Sequence, residues 1–323
     1  MKKTLATTKL GLITISISLV SGLTAAAIPS ELKLDYAYYA PTSLVVKEQK
    51  LLEKALPKTK IRWVFSQGSN RSLEYLNSGS TDFASTAGLA AVLSRANGSP
   101  IKTVYVQSQP EWTALVVNKD SNIKSLKDLK GKKIAATKGT DPFLFTLQAL
   151  DTVGLGKRDV ELVHLQHPDG KTALERKQVD AWAGLDPLMA SAQVQSGAKL
   201  LYRNVGFNSY SVLSIKENFA KQSPEAVDAV IKVYEQARKW AKANPDKLAE
   251  LLAREAKLPI EVAKLQLSRT NLDQNIPTAK HIAALQKAGS ILTEEDLVRK
   301  GTNVNQVVTQ LFDIKYAQKV VKK

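Results

Sequence analysis

Cysteine is missing from all 323 residues. That removes disulfides, thiolate metal sites, Cys nucleophiles and a lipid-carrying Cys behind an export leader together. Histidine is scarce, at three residues, and none of them stands in a spaced cluster with carboxylates. A transition-metal site is therefore not expected. The chain holds no nucleophile elbow, no P-loop and no G-x-G-x-x-G after its first strand, and no carboxylate pair stands out for acid–base work. No catalytic residue and no cofactor is expected. Beyond the first segment no apolar run is long enough to cross a membrane.

That first segment reads as a secretory leader. Met1-Lys2-Lys3 and Lys9 give a basic start, Leu10 to Leu23 is apolar but short, and Ala25-Ala26-Ala27 offers small residues for cleavage. The expected mature chain starts near Ile28 and is a soluble periplasmic monomer. The formal charge is +16, and removing a leader with three Lys and no acid leaves +13. The basic residues are interspersed with acids, as in EKALPK and LAREAK, which describes a solvated surface and not a nucleic-acid interface. The excess favours the approach of small anions by its long-range field.

Strand and helix signals alternate from Leu32 onward. LKLDYAY, KIRWVFS, DFAST and KTVYVQS are predicted strands, separated by helices; after TALVVNKD the pattern resumes with KKIAATK, VELVHL, DAWAGL and AKLLYRN. Such alternation predicts an α/β fold with mainly parallel sheets covered by helices on both faces. SLEYLNSGSTDFAST echoes TALERKQVDAWAGL, which suggests two comparable units. Extended crossings at Thr113–Asp120 and Tyr210–Lys216 would join them as two Rossmann-like lobes. The expected division is a leader at 1–27, one lobe from 28–115 plus 214–323 with the C-terminal helices, and a second lobe from 116–213.

Ligands of such folds gather outside the carboxyl ends of the strands, where helix starts point. Those ends carry Tyr38 and Tyr39, Ser69 and Asn70, Thr86 and Ala87, Glu111 and Trp112, Gly139, Thr140 and Asp141, His167, and Trp182 with Asp186. In KGTDPF, Gly139 frees the backbone, Asp141 suits an N-cap and Pro142 suits the first helical position. Any one such turn is ordinary capping; several converging could hold a small anion on backbone N–H groups and hydroxyls. Asp141 and Asp186 are read as caps, although facing the cleft with Glu111 they could take an ammonium. Trp112 and Trp182 are candidate apolar walls for a tail. Tyr38 and Tyr39 alternate along an extended chain, so one of them at most is expected to face the cleft. His167 is read as structural, with ligand contact the alternative.

The succession WVFSQGSNRSLEYLNSGSTDFASTAGLAAVLSRANG, VVNKDSNIKSLKDLKGKKIAATKGTDPFLF and VDAWAGLDP resembles the solute-binding proteins of ABC importers for aliphatic sulfonates, with nitrate- and taurine-binding proteins as relatives. The similarity runs from about Leu32 to Tyr202. It implies the periplasmic type II binding-protein fold, closure of the lobes on a small organic anion, and delivery to a permease with its ATPase. It also implies ligand contacts at Ser69-Asn70, Thr86-Ala87, Gly139-Thr140 and Trp182. Many sulfonate binders have Gly-Asp where this chain has Ala87-Gly88, and commonly Gly-Pro in the turn matching Gln67 to Asn70. These departures fall at the cleft and leave taurine, nitrate or an uncharged heterocycle open as ligands. Outside import, the fold leaves open a cleft enzyme or a sensor subunit.

Overall fold

The structure, a computed structural model, describes residues 28–321; the expected leader at 1–27 lies outside them. Its strands, in chain order, are β1 (Glu31–Tyr36), β2 (Lys60–Phe65), β3 (Phe83–Ala87), β4 (Ile101–Pro110), β5 (Leu115–Val117), β6 (Lys133–Ala135), β7 (Glu161–Val163), β8 (Ala181–Ala183), β9 (Lys199–Tyr202), β10 (Ser211–Lys216) and β11 (Thr270–Asn271). The helices in the first half are α1 (Pro41–Glu48), α2 (Leu51–Ala55), α3 (Ser69–Ser78), α4 (Gly88–Ala96), α5 (Asp141–Asp151), α6 (His167–Glu175) and α7 (Leu188–Ser196). After β10 come α8 (Glu217–Gln222), α9 (Pro224–Ala243), α10 (Pro245–Ala256), α11 (Ile260–Leu267), α12 (Ala279–Ala288), α13 (Ser290–Glu294), α14 (Val304–Leu311) and α15 (Ile314–Val321).

The strands form two sheets, ordered β11-β4-β10-β3-β1-β2 and β7-β6-β8-β5-β9. Each is the base of one lobe. The sequence pattern predicts mainly parallel pairing, and β1, β2 and β3 pair in that way, as do β6, β7 and β8. The exceptions are the two-residue edge strand β11, antiparallel to β4, and the strands that cross. β10 returns from the second lobe and runs antiparallel between β3 and β4, while β5 leaves the first lobe and runs antiparallel between β8 and β9. A strand arriving from the opposite lobe enters the sheet in the reverse direction, which periodicity alone does not reveal. The two crossings are stapled to each other: Thr113 N–H donates to Asn208 Oδ1 at 2.8 Å, and Asn208 Nδ2 donates back to the Thr113 carbonyl at 3.3 Å.

Each lobe has a buried apolar cluster of its own, and a further one runs from the first lobe, at Leu73 and Leu89, into the second, at Ile134 and Phe143. Helix α9 buries Val227, Val230, Ile231, Tyr234, Ala237 and Ala241 at three- and four-residue spacing against Tyr105 and Leu213 of the first sheet. Helix α5 is buried along nearly its whole length and brings Phe143, Leu144, Phe145 and Leu147 to the second lobe. Each such large side chain contributes about 1.5–3 kcal/mol when removed from water. The strands of the second lobe are short, three or four residues each, and α5 packs on the central one, β8.

Candidate functional site

Three helices of eight or more residues begin at the seam between the lobes: α3 from the first, α5 and α6 from the second. Their N-cap residues are Gly68, Thr140 and Gln166, and at none does the N-cap side chain bond to the helix backbone. Gly68 lies so close to the second lobe that a Cβ on it would come 2.8 Å from His167 Nε2 and 3.0 Å from Asn70 Oδ1. Only glycine permits that approach. Gly139, with φ +79°, stands against the Asn70 side chain, and Asn70 Nδ2 reaches Gln166 Oε1 at 3.4 Å. His167 Nε2 and Asn70 Oδ1 are buried and have no hydrogen-bond partner, so the seam holds unspent polar atoms where three positive helix ends meet.

The α3 start is held from beneath by Asp35, which the sequence reading did not single out. This carboxylate is fully buried in β1; Ser66 Oγ and Ser72 Oγ donate to its Oδ2, and Ser85 N–H donates to its Oδ1 at 2.7 Å. One side chain thus ties the ends of β1, β2 and β3 to α3. Burial pushes its pKa up to about 6 despite those donors. A lone acid inside LKLDYAY, in a strand covered on both faces, is the signal that could have exposed it.

Beside the seam lies a cavity of about 210 Å³ lined by Tyr38, Phe65, Pro168, Leu185, Pro187 and Leu258, among others. Both Tyr38 and Tyr39 line it, contrary to the strand-alternation expectation. The cause is a turn, closed by Ala40 N–H on the Ala37 carbonyl at 3.1 Å, that replaces the extended chain after Tyr36. Tyr38 packs on Phe65 with ring centroids 4.6 Å apart and donates to the Glu255 carbonyl; Tyr39 donates to the Ser85 carbonyl. A larger hollow of about 700 Å³ lies between α9 and α15. Among the charges lining it, Lys319 pairs with Asp228 and Lys239 with Glu235.

The remaining expected residues divide between support and burial. Ser69 Oγ accepts Ala87 N–H at 2.8 Å, which locks the α3 start onto β3. Thr86 and Ala87 are buried beneath it, and Thr86 Oγ1 is within 3.1 Å of Ser214 Oγ on β10. Antiparallel β10 covers their edge, so this pair lies behind the cleft surface. Thr140 is buried and its hydroxyl donates to the Thr137 carbonyl at 2.6 Å. Trp182 is likewise no cleft wall: it is 1% exposed in the second lobe's core, where Gly170 leaves room for the indole at a distance a Cβ would cut to 2.7 Å. Trp112 is buried edge-on to Tyr39 and donates Nε1–H to Asp141 Oδ2.

The acids bond mostly within the protein, although Asp141 Oδ1 is buried without a partner. Asp141 does not cap its helix. Ser209 N–H and Oγ donate to its Oδ2 at 2.9 and 2.7 Å, tying the α5 start to the return crossing, and burial pushes it up to about 6. Asp186 accepts Ala190 N–H at 2.9 Å in the first turn of α7 and stands 3.4 Å from Arg269 Nη1. Burial outweighs that arginine and pushes Asp186 up to about 7. Glu111 takes a two-pronged contact from Arg203, Nε at 2.8 Å and Nη2 at 2.6 Å, so it offers no free carboxylate to an ammonium. Arg269, which also donates to Gln193 Oε1 on α7, lies in the C-terminal helical stretch. Nothing in its local sequence marks a contact with a residue 83 positions away.

Comparison with known proteins bears on the family and the fold. The family described as NMT1/THI5 like matches residues 60–248. Over 285 residues the chain is 28% identical to a protein of Escherichia coli strain K12 named an aliphatic sulfonates-binding protein, covering 87% of this chain and 89% of that one. The alkanesulfonate-binding protein SsuA from Xanthomonas axonopodis pv. citri, bound to MOPS, has a TM-score of 0.81 at 26% identity over 87% of this chain and 98% of its own. These likenesses establish the two-lobed periplasmic binding-protein fold. The desulfurization enzyme DSZB shares it at a TM-score of 0.65 and 17% identity, over 91% of this chain and 99% of its own. The architecture alone thus serves catalysts as well as binders.

Proposed function

The chain belongs to the NMT1/THI5-like family, and from that premise we propose that it is the solute-capturing component of an ABC importer. It is exported to the periplasm, closes its two lobes on a small organic anion, and hands that anion unaltered to a permease driven by an ATPase. The anion is an aliphatic sulfonate. Its head lies at the starts of α3, α5 and α6, and its tail enters the cavity between Tyr38 and Phe65 on one side and Leu185 and Pro187 on the other.

The observation that carries this reading is the meeting of three helix starts around unpartnered buried atoms of Asn70 and His167. A sulfonate has three oxygens and one charge, which such ends accept without an opposing Arg. The apolar cavity beside it suits alkyl carbon; Glu111 and Asp186 are paired with Arg203 and Arg269, and of these three acids Asp141 alone keeps a buried oxygen, Oδ1, without a partner. The relatives named for sulfonate binding add support.

The test is a thermal-shift panel on the chain from Ile28, refolded to strip carried-over ligand, against alkanesulfonates, taurine, nitrate, bicarbonate, phosphonates and amino acids. A ligand at a hundred times its Kd adds about 2.7 kcal/mol, which moves the midpoint by a few degrees at this size. A shift with alkanesulfonates and little with taurine is the expected result. No shift with any anion would leave the helix starts without a ligand and overturn the reading.

A further inference from the structure

His167 is the first residue of α6 and is fully buried. Its Nδ1 lies 3.1 Å from Thr137 Oγ1, and that hydroxyl gives its own hydrogen to the Leu165 carbonyl at 2.7 Å. A hydroxyl has one hydrogen, so toward the imidazole Thr137 can only accept. Nδ1 therefore carries the proton, and Nε2 presents a lone pair. That lone pair has no donor and points to the Gly68 backbone, beside the equally unpartnered Asn70 Oδ1.

This tautomer is at odds with an anion. The helix starts draw a negative head to the seam, yet an unprotonated Nε2 repels its oxygens. The Asn70 amide can rotate to present its NH2; the imidazole becomes a donor only by gaining a proton. We propose that His167 takes up one proton from solvent as the anionic head binds, so that an imidazolium Nε2–H holds the head and ligand capture is proton-linked. This rests on the reading that the head sits at this seam.

The surroundings permit it. Burial alone pushes His167 down to about 3, so the ring is neutral at pH 7 until an anion arrives. On α3, Arg71 and Glu74 pair with each other at 2.6 Å. Before α5, Lys138 is exposed, and Asp141 is held by Ser209 and Trp112. On α6, Asp169 is exposed and Lys171 pairs with Glu175 at 2.7 Å. On the same lobe, before α7, Asp186 is held by Ala190 and Arg269. The buried carboxylates Asp35, beneath the α3 start, and Asp141, whose Oδ1 has no partner, do not raise the ring: burial is the cause that sets its value.

The test is calorimetric titration of the whole protein with hexane-1-sulfonate at pH 7.0, 7.5 and 8.0, in phosphate and in Tris, whose ionisation enthalpies differ. The expected result is uptake approaching one proton per sulfonate, with Kd weakening about tenfold per pH unit. His167→Gln, with a donor that does not titrate, should bind with no proton uptake and a flat pH profile. Sulfonate binding to the unaltered protein without proton uptake would overturn the inference while leaving the sulfonate reading intact. Undiminished uptake in His167→Gln would also overturn it, by placing the proton elsewhere. Should His167→Gln fail to fold, the proton count of the unaltered protein decides. Absence of any anion binding would remove the function proposed above and this inference with it.

Discussion

Two residues carry more of the site than their size suggests. Gly68 has no side chain, and the space a Cβ would need is occupied by His167 Nε2 at 2.8 Å. Gly68→Ala should therefore hold the lobes apart at the seam, weakening sulfonate binding about tenfold, or ~1.4 kcal/mol, with little change in the ligand-free midpoint. Calorimetry and thermal unfolding side by side check this; unchanged affinity would mean that closure does not bring Gly68 to His167. Asp35 acts from behind. Its pKa of about 6 against an ordinary 3.9 means that the folded state binds the proton more tightly than the unfolded chain. Stability falls as pH rises from about 4 to 6, and above 6 the cost stays constant at about 3 kcal/mol. Asp35→Asn should flatten that part of the stability curve, measured as denaturation midpoints from pH 4.5 to 7.5. A slope as steep as the original would assign it to other acids. Gly68 was legible in the turn SQGSN as a glycine before a helix, but its neighbour across the seam was not. Asp35 was visible as an oddity in a strand, and its three donors come from three other segments.

At the level of elements, the sequence showed helix starts well and showed poorly what their residues do. It placed Asp141 and Thr140 at the opening of α5, where they are. Yet the Asp141 carboxylate serves the return crossing through Ser209, and the Thr140 hydroxyl serves its own turn. Capping and tertiary bonding draw on the same side-chain types, so the residue pattern does not separate them. Trp182 shows the same ambiguity on a strand: DAWAGL fixes an aromatic in β8 but not which face of the sheet it takes. If the helix starts bind an anion, a fixed negative charge at one of them should compete with it. Gln166→Glu puts a carboxylate at the N-cap of α6. It should add about 0.3–1 kcal/mol of stability through the helix dipole while weakening sulfonate binding about tenfold. Thermal unfolding and calorimetry at low ionic strength separate the two effects. Equal affinity in Gln166→Glu would place the anionic head away from α6.

For the molecule as a whole, the proposed closure of the lobes on a ligand would involve the C-terminal helices, which touch the second lobe from two sides. Arg269, just beyond α11, holds Asp186 and Gln193 of the second lobe. Its carbonyl also accepts Glu111 N–H at 2.8 Å, at the first crossing. On the far side, Glu295 after α13 accepts from Lys157, also of the second lobe. The alternation of strands and helices made two lobes legible, whereas this strap of C-terminal contacts was not, because each contact joins segments far apart in sequence. The Arg269–Asp186 pair is buried on both sides, at 8% and 2% side-chain exposure. Removing the arginine would strand a buried carboxylate that also feels Glu111. Arg269→Met should therefore cost roughly 3 kcal/mol at pH 7.5. Arg269 lowers Asp186, so without it the carboxyl takes its proton at higher pH; the loss should shrink as pH falls toward about 7 and level off below. Because the pair spans the lobes, the loss should fall on the closed state first, raising the radius of gyration of ligand-free protein in solution scattering and leaving the sulfonate-bound value near that of the unaltered chain. A variant that is destabilised but keeps the ligand-free radius would make Arg269 a fastener of the fold. An enlarged radius that returns on sulfonate addition would make it a latch on the cleft, set against the cost of keeping Asp186 charged in a buried place.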